Sequence, residues 1–298
     1  MSLVECVPNF SEGRRPEVVD EILSAIRSAP GVRLVDSSLD ASHNRSVVTF
    51  VGAPDAAQEA AFRAIAKARE KIDLTRHQGE HPRIGATDVV PFVPLEGSTM
   101  QECVELAWRL GQRVGRELEI PVYFYEAAAK RPERKNLADI RKGQFEGLRE
   151  LIGKDPLREP DAGPKNAIHP TAGATVIGAR FFLIAFNVNL DTQDVQIAKD
   201  IAKKIRERDG GLPGIKAMGF FLEDLRCAQV SMNVCDFRTT GLVRVFREIE
   251  GLARERGVAI RESELVGLAP RAALPDGAAR ELRLRDFDPR RQIVEALL

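Results

Sequence analysis

Hydrophobic and polar residues alternate along the first hundred positions in a pattern that predicts short strands separated by amphipathic helices. Two segments carry apolar residues at helical spacing, RPEVVDEILSAIRSAPG and DAAQEAAFRAIAKAREKID, and the first stops at Pro30-Gly31, a normal helix exit. Strands are predicted by the apolar runs LVECVPNF, VRLVDSSLD, SVVTFVGA and DVVPFVPLEG. The predicted order of elements is β-α-β-β-α-β.

The same order returns towards the C-terminus. Helices are predicted at TQDVQIAKDIAKKIRERDGG and TTGLVRVFREIEGLARERGV, and strands at FFLIAFNVNL, IKAMGFFLED, CAQVSMNVCDF and SELVGLAP. Two such units predict an α+β protein with two tandem ferredoxin-like (βαββαβ) subdomains, each an antiparallel sheet with helices on one face. We place the boundary between residues 178 and 179, which gives subdomains 1–178 and 179–298.

The segment between the two units is predicted to contain a helix, a strand and a long connection. STMQECVELAWRLGQRVGRELEIP has helical spacing, and VYFYEAA is a short apolar run. The stretch AKRPERKNLADIRKGQFEGLRELIGKDPLREPDAGPKN is charged and rich in Pro and Gly, which favours a connection with a helix inside it.

Charge and cysteine content narrow the class of protein. Lys+Arg total 44 and Asp+Glu total 44, so no net charge draws the chain to nucleic acid or anionic membranes. The N-terminus lacks the basic and apolar regions of a signal peptide, and no segment approaches the ~20 apolar residues of a membrane span. The four cysteines form no C-x-x-C pair, which favours reduced thiols and a cytoplasmic location.

The segment HQGEHPRIG raises the question of a metal site, because HQGEH has the H-x-x-E-H spacing of one class of zinc hydrolase. That geometry needs His77 and His81 on one face of a helix. Pro82 disfavours the helical conformation at His81, and its ring would clash with the carbonyl of Gln78. We therefore predict a loop without metal, in which a histidine transfers protons near neutral pH.

Further polar residues are candidates for substrate contacts, each with an ordinary structural alternative. Asn9 ends the first strand, where VPNFSEG could equally supply helix capping through Ser11 and Glu12. DSSLDASHNRS reads as a hairpin loop that could present Asp40, Asn44 and Arg45 to a ligand. Polar residues alternate along two of the predicted strands: Asn187 and Asn189 in one, and Gln229, Ser231 and Asn233 in the other. This pattern predicts a polar sheet face that contacts a ligand, or else one that only faces solvent.

These motifs resemble a known family. LVECVPNFSEG, HNRSVVTFVG, RHQGEHPRIGATDVVPF, FLIAFNVNL and QVSMNVCDF are similar to the glutamate formimidoyltransferases, the formiminotransferase half of formimidoyltransferase-cyclodeaminase. The resemblance runs over nearly the whole chain. It implies N-terminal and C-terminal formiminotransferase subdomains with a substrate groove or tunnel between them, in a homodimer. It implies transfer of a formimino group from N-formimino-L-glutamate to N5 of tetrahydrofolate, a step of histidine degradation and one-carbon metabolism.

The resemblance also implies residue roles. The catalytic histidine is His81, in Glu80-His81-Pro82-Arg83. The acidic residue that assists this histidine is expected near Ser38, which Asp36 and Asp40 flank. Of these two carboxylates we favour Asp40. From the residue patterns described above, and not from the resemblance, we assign other substrate contacts to Asn9, Asn44, Arg45, His77, Arg83 and Asn187. The folate-binding stretch comprises Gly163, Pro164, Lys165, Asn166, Ala167, Ile168, His169, Pro170, Thr171, Ala172 and Gly173.

Two other activities remain open from the sequence. A related folate one-carbon transferase could take formyl from N-formylglutamate, since both donors present the same glutamate end. A non-catalytic folate-binding module is also possible, although it has no need of the E-H-P-R loop. Tetrahydrofolate is expected as co-substrate, with no metal, nucleic acid or membrane partner. A separate cyclodeaminase is expected to release ammonia downstream.

Overall fold

The computed structural model of the chain describes residues 2–297 and comprises two compact units, Met1–Arg180 and Phe181–Leu298. Each unit contains one β-sheet, so the α+β prediction is confirmed. No helix within the described part of the chain is long and apolar enough to cross a membrane.

Up to β6 (Val122–Glu126), the first unit has its strands and helices in the order that the hydrophobic pattern predicts. Its strands are β1 (Val4–Cys6), β2 (Asn9–Phe10), β3 (Val32–Asp40), β4 (Arg45–Gly52), β5 (Thr87–Pro94), β6 (Val122–Glu126) and β7 (Thr175–Ala179). Its helices are α1 (Pro16–Arg27), α2 (Pro54–Lys71), α3 (Met100–Glu117), α4 (Leu137–Ile140) and α5 (Gln144–Leu151).

The sheet of the first unit runs β3-β4-β1/β2-β5-β7-β6. β1 and β2 are two parts of one interrupted strand, because both pair antiparallel with β4 on one side and β5 on the other. β7 then joins β5 in parallel and β6 joins β7 in parallel. The interruption lies at Pro8, which has no N–H to donate to a neighbouring strand.

The core of this unit lies where the helices pack on the sheet. α2 presents a face of small side chains to the interior, Ala57, Ala60, Ala61, Ala64 and Ala68. Small residues allow close approach of helix and sheet, and large side chains fill the remaining space. The fully buried aromatic residues are Phe10, Phe50, Phe92, Tyr123, Phe124 and Phe145.

The second unit contains β8 (Ile184–Leu190), α6 (Val195–Ile205), β9 (Ile215–Leu222), β10 (Cys227–Val234), α7 (Leu242–Arg254) and β11 (Ile260–Val266). The strand order is β11-β8-β10-β9, all antiparallel. The two short helices α8 (Ala278–Glu281) and α9 (Pro289–Gln292) follow β11. The first four strands of the first unit, with β1 and β2 counted as one, have the same relative order.

β3 ends at Asp40, as the strand prediction VRLVDSSLD has it, so the hairpin loop predicted at DSSLDASHNRS is confined to residues 41–44. Other features differ from the sequence expectation. The sheet of the first unit is mixed and not purely antiparallel, because β7 and β6 join it in parallel. β11 begins at Ile260, ahead of the predicted SELVGLAP. β7 was not predicted at all, because its sequence, TVIGA, shows no regular alternation of apolar and polar residues and stands among glycines. All five residues of β7 are buried, so the sequence lacks the apolar–polar alternation that marks a half-exposed strand.

Gly173, just before β7, occupies a turn that only glycine fits. Its φ is +71°, and a Cβ there would lie 2.2 Å from the Ile84 carbonyl oxygen. The turn is closed by two backbone hydrogen bonds with His169, of 2.9 and 3.0 Å. The conformation therefore couples the start of β7 to the loop that precedes β5.

We expect Gly173→Ala to destabilise the first unit by about 1–3 kcal/mol, because alanine must adopt a positive φ and clash with backbone. Gly147→Ala is the matched control. No atom lies within 4 Å of a Cβ at Gly147, in α5, so alanine should stabilise the helix by up to about 1 kcal/mol.

Urea unfolding followed by tryptophan fluorescence measures both changes, since the chain's single tryptophan, Trp108, packs on the core of this unit. Equal midpoints for Gly173→Ala and wild type would contradict the assignment of Gly173 as a conformational requirement.

Candidate active site

The segment HQGEHPRIG, residues 77–85, forms a loop between α2 and β5, as predicted. No helix holds the two histidines on one face. The loop ends where Ile84 N–H donates to Asp88 Oδ1 at 2.8 Å. Within residues 2–297, no group of three or more His, Cys, Asp and Glu side chains is placed to hold a metal ion.

His77 ties this loop to the hairpin between β3 and β4. Its Nδ1 accepts a hydrogen bond from Arg83 Nε at 3.2 Å, so the ring proton lies on Nε2 and is donated to the Asn44 carbonyl at 2.9 Å. Burial lowers the pKa of His77, the Asn44 carbonyl opposes this, and the charge of Arg83 lowers the pKa further. A neutral ring with both nitrogens occupied holds the loop in place.

Asn44 joins three segments through one buried side chain. Its Oδ1 accepts from Gly13 N–H at 2.9 Å, and its Nδ2 donates to the Gln78 carbonyl at 2.9 Å. Its backbone is left-handed, with φ +49°, a conformation that asparagine tolerates better than most residues. The motifs NFSEG, HNR and HQGEH therefore meet at this residue.

Arg83 is buried and its guanidinium is engaged by the protein itself. It donates to Glu146 at 2.7 and 2.9 Å and to Gln144 at 3.0 Å, besides its contacts with His77. These bonds attach the loop to the start of α5. The predicted substrate contact of Arg83 would have to compete with them.

His81 differs from His77 because its ring makes no hydrogen bond within residues 2–297. The side chain is partly buried and lies among charged groups. Burial, and then the positive charges of Arg141 and Arg45 and the neighbouring His43, lower the pKa of His81 to about 3, while Asp40 opposes them. The ring is therefore neutral near pH 7, with an unshared nitrogen lone pair.

Asp40 lies in this group but its carboxylate is paired with His43. Oδ2 lies 2.6 Å from His43 Nδ1, and Oδ1 accepts from the His43 backbone N–H at 2.9 Å. Burial raises the pKa of Asp40, but the hydrogen bonds from His43 bring it below its ordinary value. The structure thus places Asp40 near His81 without a hydrogen bond between them.

Arg45 lies opposite Asp40 in the backbone register of β3 and β4, yet its Nε is buried and has no acceptor within residues 2–297. Arg141 lies close by and donates through Nε to Asp88 Oδ2 at 2.8 Å. Asp88 is only 2% exposed, so this ion pair is almost entirely desolvated. Burial, and then Arg141, lower the pKa of Arg45, as expected for neighbouring cations.

The predicted folate-binding stretch, residues 163–173, spans two environments. Lys165, Asn166 and Ala167 are exposed, whereas Ile168, Ala172 and Gly173 are buried. Burial, and then the charge of Arg69, lower the pKa of His169. Only part of the stretch has side chains available to a ligand.

The end of the 163–173 stretch is hydrogen-bonded to the end of the HQGEHPRIG loop. Ala86 N–H donates to the Ala172 carbonyl at 2.9 Å, and Ala174 N–H donates to the Ile84 carbonyl at 2.9 Å. Gly85 and Gly173 form an antiparallel bridge between these bonds. Two separate predicted site segments are therefore adjacent in space.

Asn9 lies in β2, where its Nδ2 donates to the Val7 carbonyl at 3.1 Å. Asn187 lies in β8 of the second unit and donates to Glu264 at 2.8 Å. Asn189 and Gln229, which the alternation placed on the same face, are bonded to each other at 2.9 Å and are buried. That face is polar but largely satisfied by its own hydrogen bonds.

Sequence reasoning missed Arg141, Asp88 and Glu146. Arg141 and Glu146 belong to the long charged connection, where arginine and glutamate are common and no periodicity singles out one of them. Asp88 was placed in a strand, and a carboxylate in an otherwise apolar run, DVVPFV, was the one available signal.

Both units of the chain match known protein families. Residues 3–180 match the formiminotransferase domain, N-terminal subdomain, and residues 185–287 match the formiminotransferase domain. A glutamate formimidoyltransferase of Streptococcus pyogenes serotype M1 is 52% identical over 293 residues, 98% of this chain and 97% of that protein.

A second glutamate formimidoyltransferase, of Thermoplasma acidophilum, is 50% identical and covers 97% of this chain and 95% of its own length. A formimidoyltransferase-cyclodeaminase of Sus scrofa is 47% identical over 93% of this chain, and the match spans 52% of that protein. The chain belongs to the formiminotransferase family.

Proposed function

We propose that the protein transfers the formimino group from N-formimino-L-glutamate to N5 of tetrahydrofolate, giving 5-formimidoyltetrahydrofolate and L-glutamate. Family membership supports this reaction, because two relatives named glutamate formimidoyltransferase match the chain over nearly their full length. The observation that carries the chemistry is the neutral ring of His81, which lies between charged groups and makes no hydrogen bond in the described part of the chain, on a loop fixed by His77 and Asn44.

His81 acts as the general base and acid of this proposal. The amine N5 attacks the formimino carbon, which forms a tetrahedral intermediate. His81 takes the proton that N5 loses and delivers it to the glutamate nitrogen, which then leaves as an amine. Such proton transfer typically contributes about 100- to 10,000-fold to the rate. No covalent enzyme intermediate is required.

Asp40 has an indirect part in the proposal. Its bonds to His43 fix a carboxylate and an imidazole beside His81. A negative charge in that position favours the imidazolium form that His81 adopts after it takes the proton. Asp40 is thus proposed to stabilise the protonated intermediate state.

We assign the remaining substrate contacts according to which side chains are exposed to solvent. We assign tetrahydrofolate to residues 163–173, with direct side-chain contacts from the exposed Lys165 and Asn166. Gly173 and Ala172 shape the turn. The two units, with their shared strand order, are proposed to be the ferredoxin-like subdomains 1–178 and 179–298.

A coupled assay tests the function. Purified protein is given tetrahydrofolate with either N-formimino-L-glutamate or N-formyl-L-glutamate, and the folate product is measured spectroscopically. We expect turnover with the formimino donor, at a higher kcat/KM than with the formyl donor. Turnover with the formyl donor alone would identify a different one-carbon transferase, and tetrahydrofolate binding without turnover would indicate a binding module.

His81→Ala should lower kcat by roughly 100- to 10,000-fold, with tetrahydrofolate affinity nearly unchanged, because its task is in the transition state. His77→Ala is the matched comparison on the same loop. It should lower the unfolding midpoint by removing two hydrogen bonds, and reduce kcat less. Wild-type turnover in His81→Ala with an inactive His77→Ala would reverse the two roles.

The pH dependence follows from the lowered pKa of His81, about 3 in the free protein. Neutral histidine is the base, so activity is lost only when the ring becomes protonated. The His81 contribution to the acid limb of kcat/KM should therefore lie well below the ordinary histidine range near pH 6.5. An acid limb with a pKa of about 6.5 that disappears in His81→Ala would contradict the proposed environment.

A further inference from the structure

Not every charged group around His81 has a hydrogen-bonded partner within residues 2–297. Asp88 is bound by Arg141, and the carboxylate of Asp40 is bound by His43. Arg45 makes no side-chain hydrogen bond or ion pair within residues 2–297, and its Nε is buried. Arg45 as a whole is only partly buried, but a buried guanidinium nitrogen without an acceptor is costly, so an anionic ligand is the natural partner.

Arg141 is placed to share that ligand. Asp88 engages its Nε and Nη2, while its Nη1 has no partner in the described chain. Asp88 also accepts the Ile84 N–H at 2.8 Å, so the same carboxylate orients Arg141 and anchors the catalytic loop. Arg141 and Arg45 act on each other and on His81 as neighbouring positive charges.

We propose that Arg45 and Arg141 together bind the α-carboxylate of the donor amino acid, which makes Arg141 a second substrate-binding arginine of this site. This inference rests on the proposed function. The donor carries two carboxylates, but the α-carboxylate is attached to the carbon that bears the reacting nitrogen. Two arginines beside His81 can therefore hold that carboxylate while His81 reaches the nitrogen. Guanidinium groups match a carboxylate in shape and charge.

Occupation of the two arginines has a consequence for His81. In the free protein, Arg141, Arg45 and His43 disfavour a proton on the ring, and Asp40 is the opposing charge. A bound carboxylate offsets the two guanidinium charges and makes protonation easier. The donor thereby increases the basicity of the group that must accept the N5 proton.

Arg141→Gln tests the inference, with Lys142→Gln as control. Lys142 is the next residue, is exposed, and loses the same charge on substitution. Arg141→Gln should raise KM for N-formimino-L-glutamate by about 10- to 100-fold, the range for a lost hydrogen bond to a charged group. The Kd for L-glutamate, measured by calorimetry, should rise in parallel. Lys142→Gln should change neither quantity.

Two further readouts separate binding from disruption of the loop. The Kd for tetrahydrofolate should stay at its wild-type value in Arg141→Gln. The acid limb of kcat/KM should move to higher pH, because removal of one positive charge raises the pKa of His81. Arg141→Lys, which keeps the charge and can still bind Asp88, should show a smaller rise in donor KM and a smaller pH shift.

Donor analogues identify the carboxylate. Replacement of the α-carboxylate by an amide should weaken wild-type binding strongly and remove the difference between wild type and Arg141→Gln. The γ-amide should preserve that difference. An unchanged donor KM in Arg141→Gln, or equal losses for donor and tetrahydrofolate, would overturn the inference. Absence of formimino transfer in wild type with intact Arg141-dependent L-glutamate binding would overturn the proposed reaction instead.

Discussion

The arrangement of the candidate site depends on the side chain of Asn44. One amide accepts from Gly13 and donates to Gln78, while the backbone carbonyl of the same residue receives His77. An amide is suited to this position because it has both a donor and an acceptor, whereas aspartate at neutral pH has acceptors only. The left-handed backbone of Asn44 also ends the hairpin that positions Asp40 and Arg45.

Electrostatics then distinguish the two histidines of the loop. His77 is occupied at both nitrogens and serves as a structural link, whereas the ring of His81, beside two arginines, makes no hydrogen bond to any other described residue. The same residue type at a spacing of four thus has two different tasks. The difference comes from the strands and helices that surround the loop, since Arg45 comes from β4 and Arg141 follows α4.

Much of the fold was predictable because helices and alternating strands leave a periodic signal, as in α1 and β8. The loop character of HQGEHPRIG was predictable from Pro82 alone. β7 was not, because a fully buried parallel strand has no alternation. Arg141 was not, because its proposed role depends on contact with Asp88, 53 positions away, and on Arg45 Nε, which has no acceptor among the described residues. Neither relation leaves a local pattern in the sequence.

The bridge between Gly85 and Gly173 has a consequence for the order of folding. The loop that carries His81 obtains its last backbone partners only from residues 172–174, almost ninety positions later in the chain. Contacts between such distant segments carry a large loop-closure cost and form slowly. During synthesis, β3, β4 and α2 can assemble early, whereas the loop that carries His81 gains its final shape only after β7 has emerged. The geometry that we propose for proton transfer is therefore among the latest properties that this unit acquires.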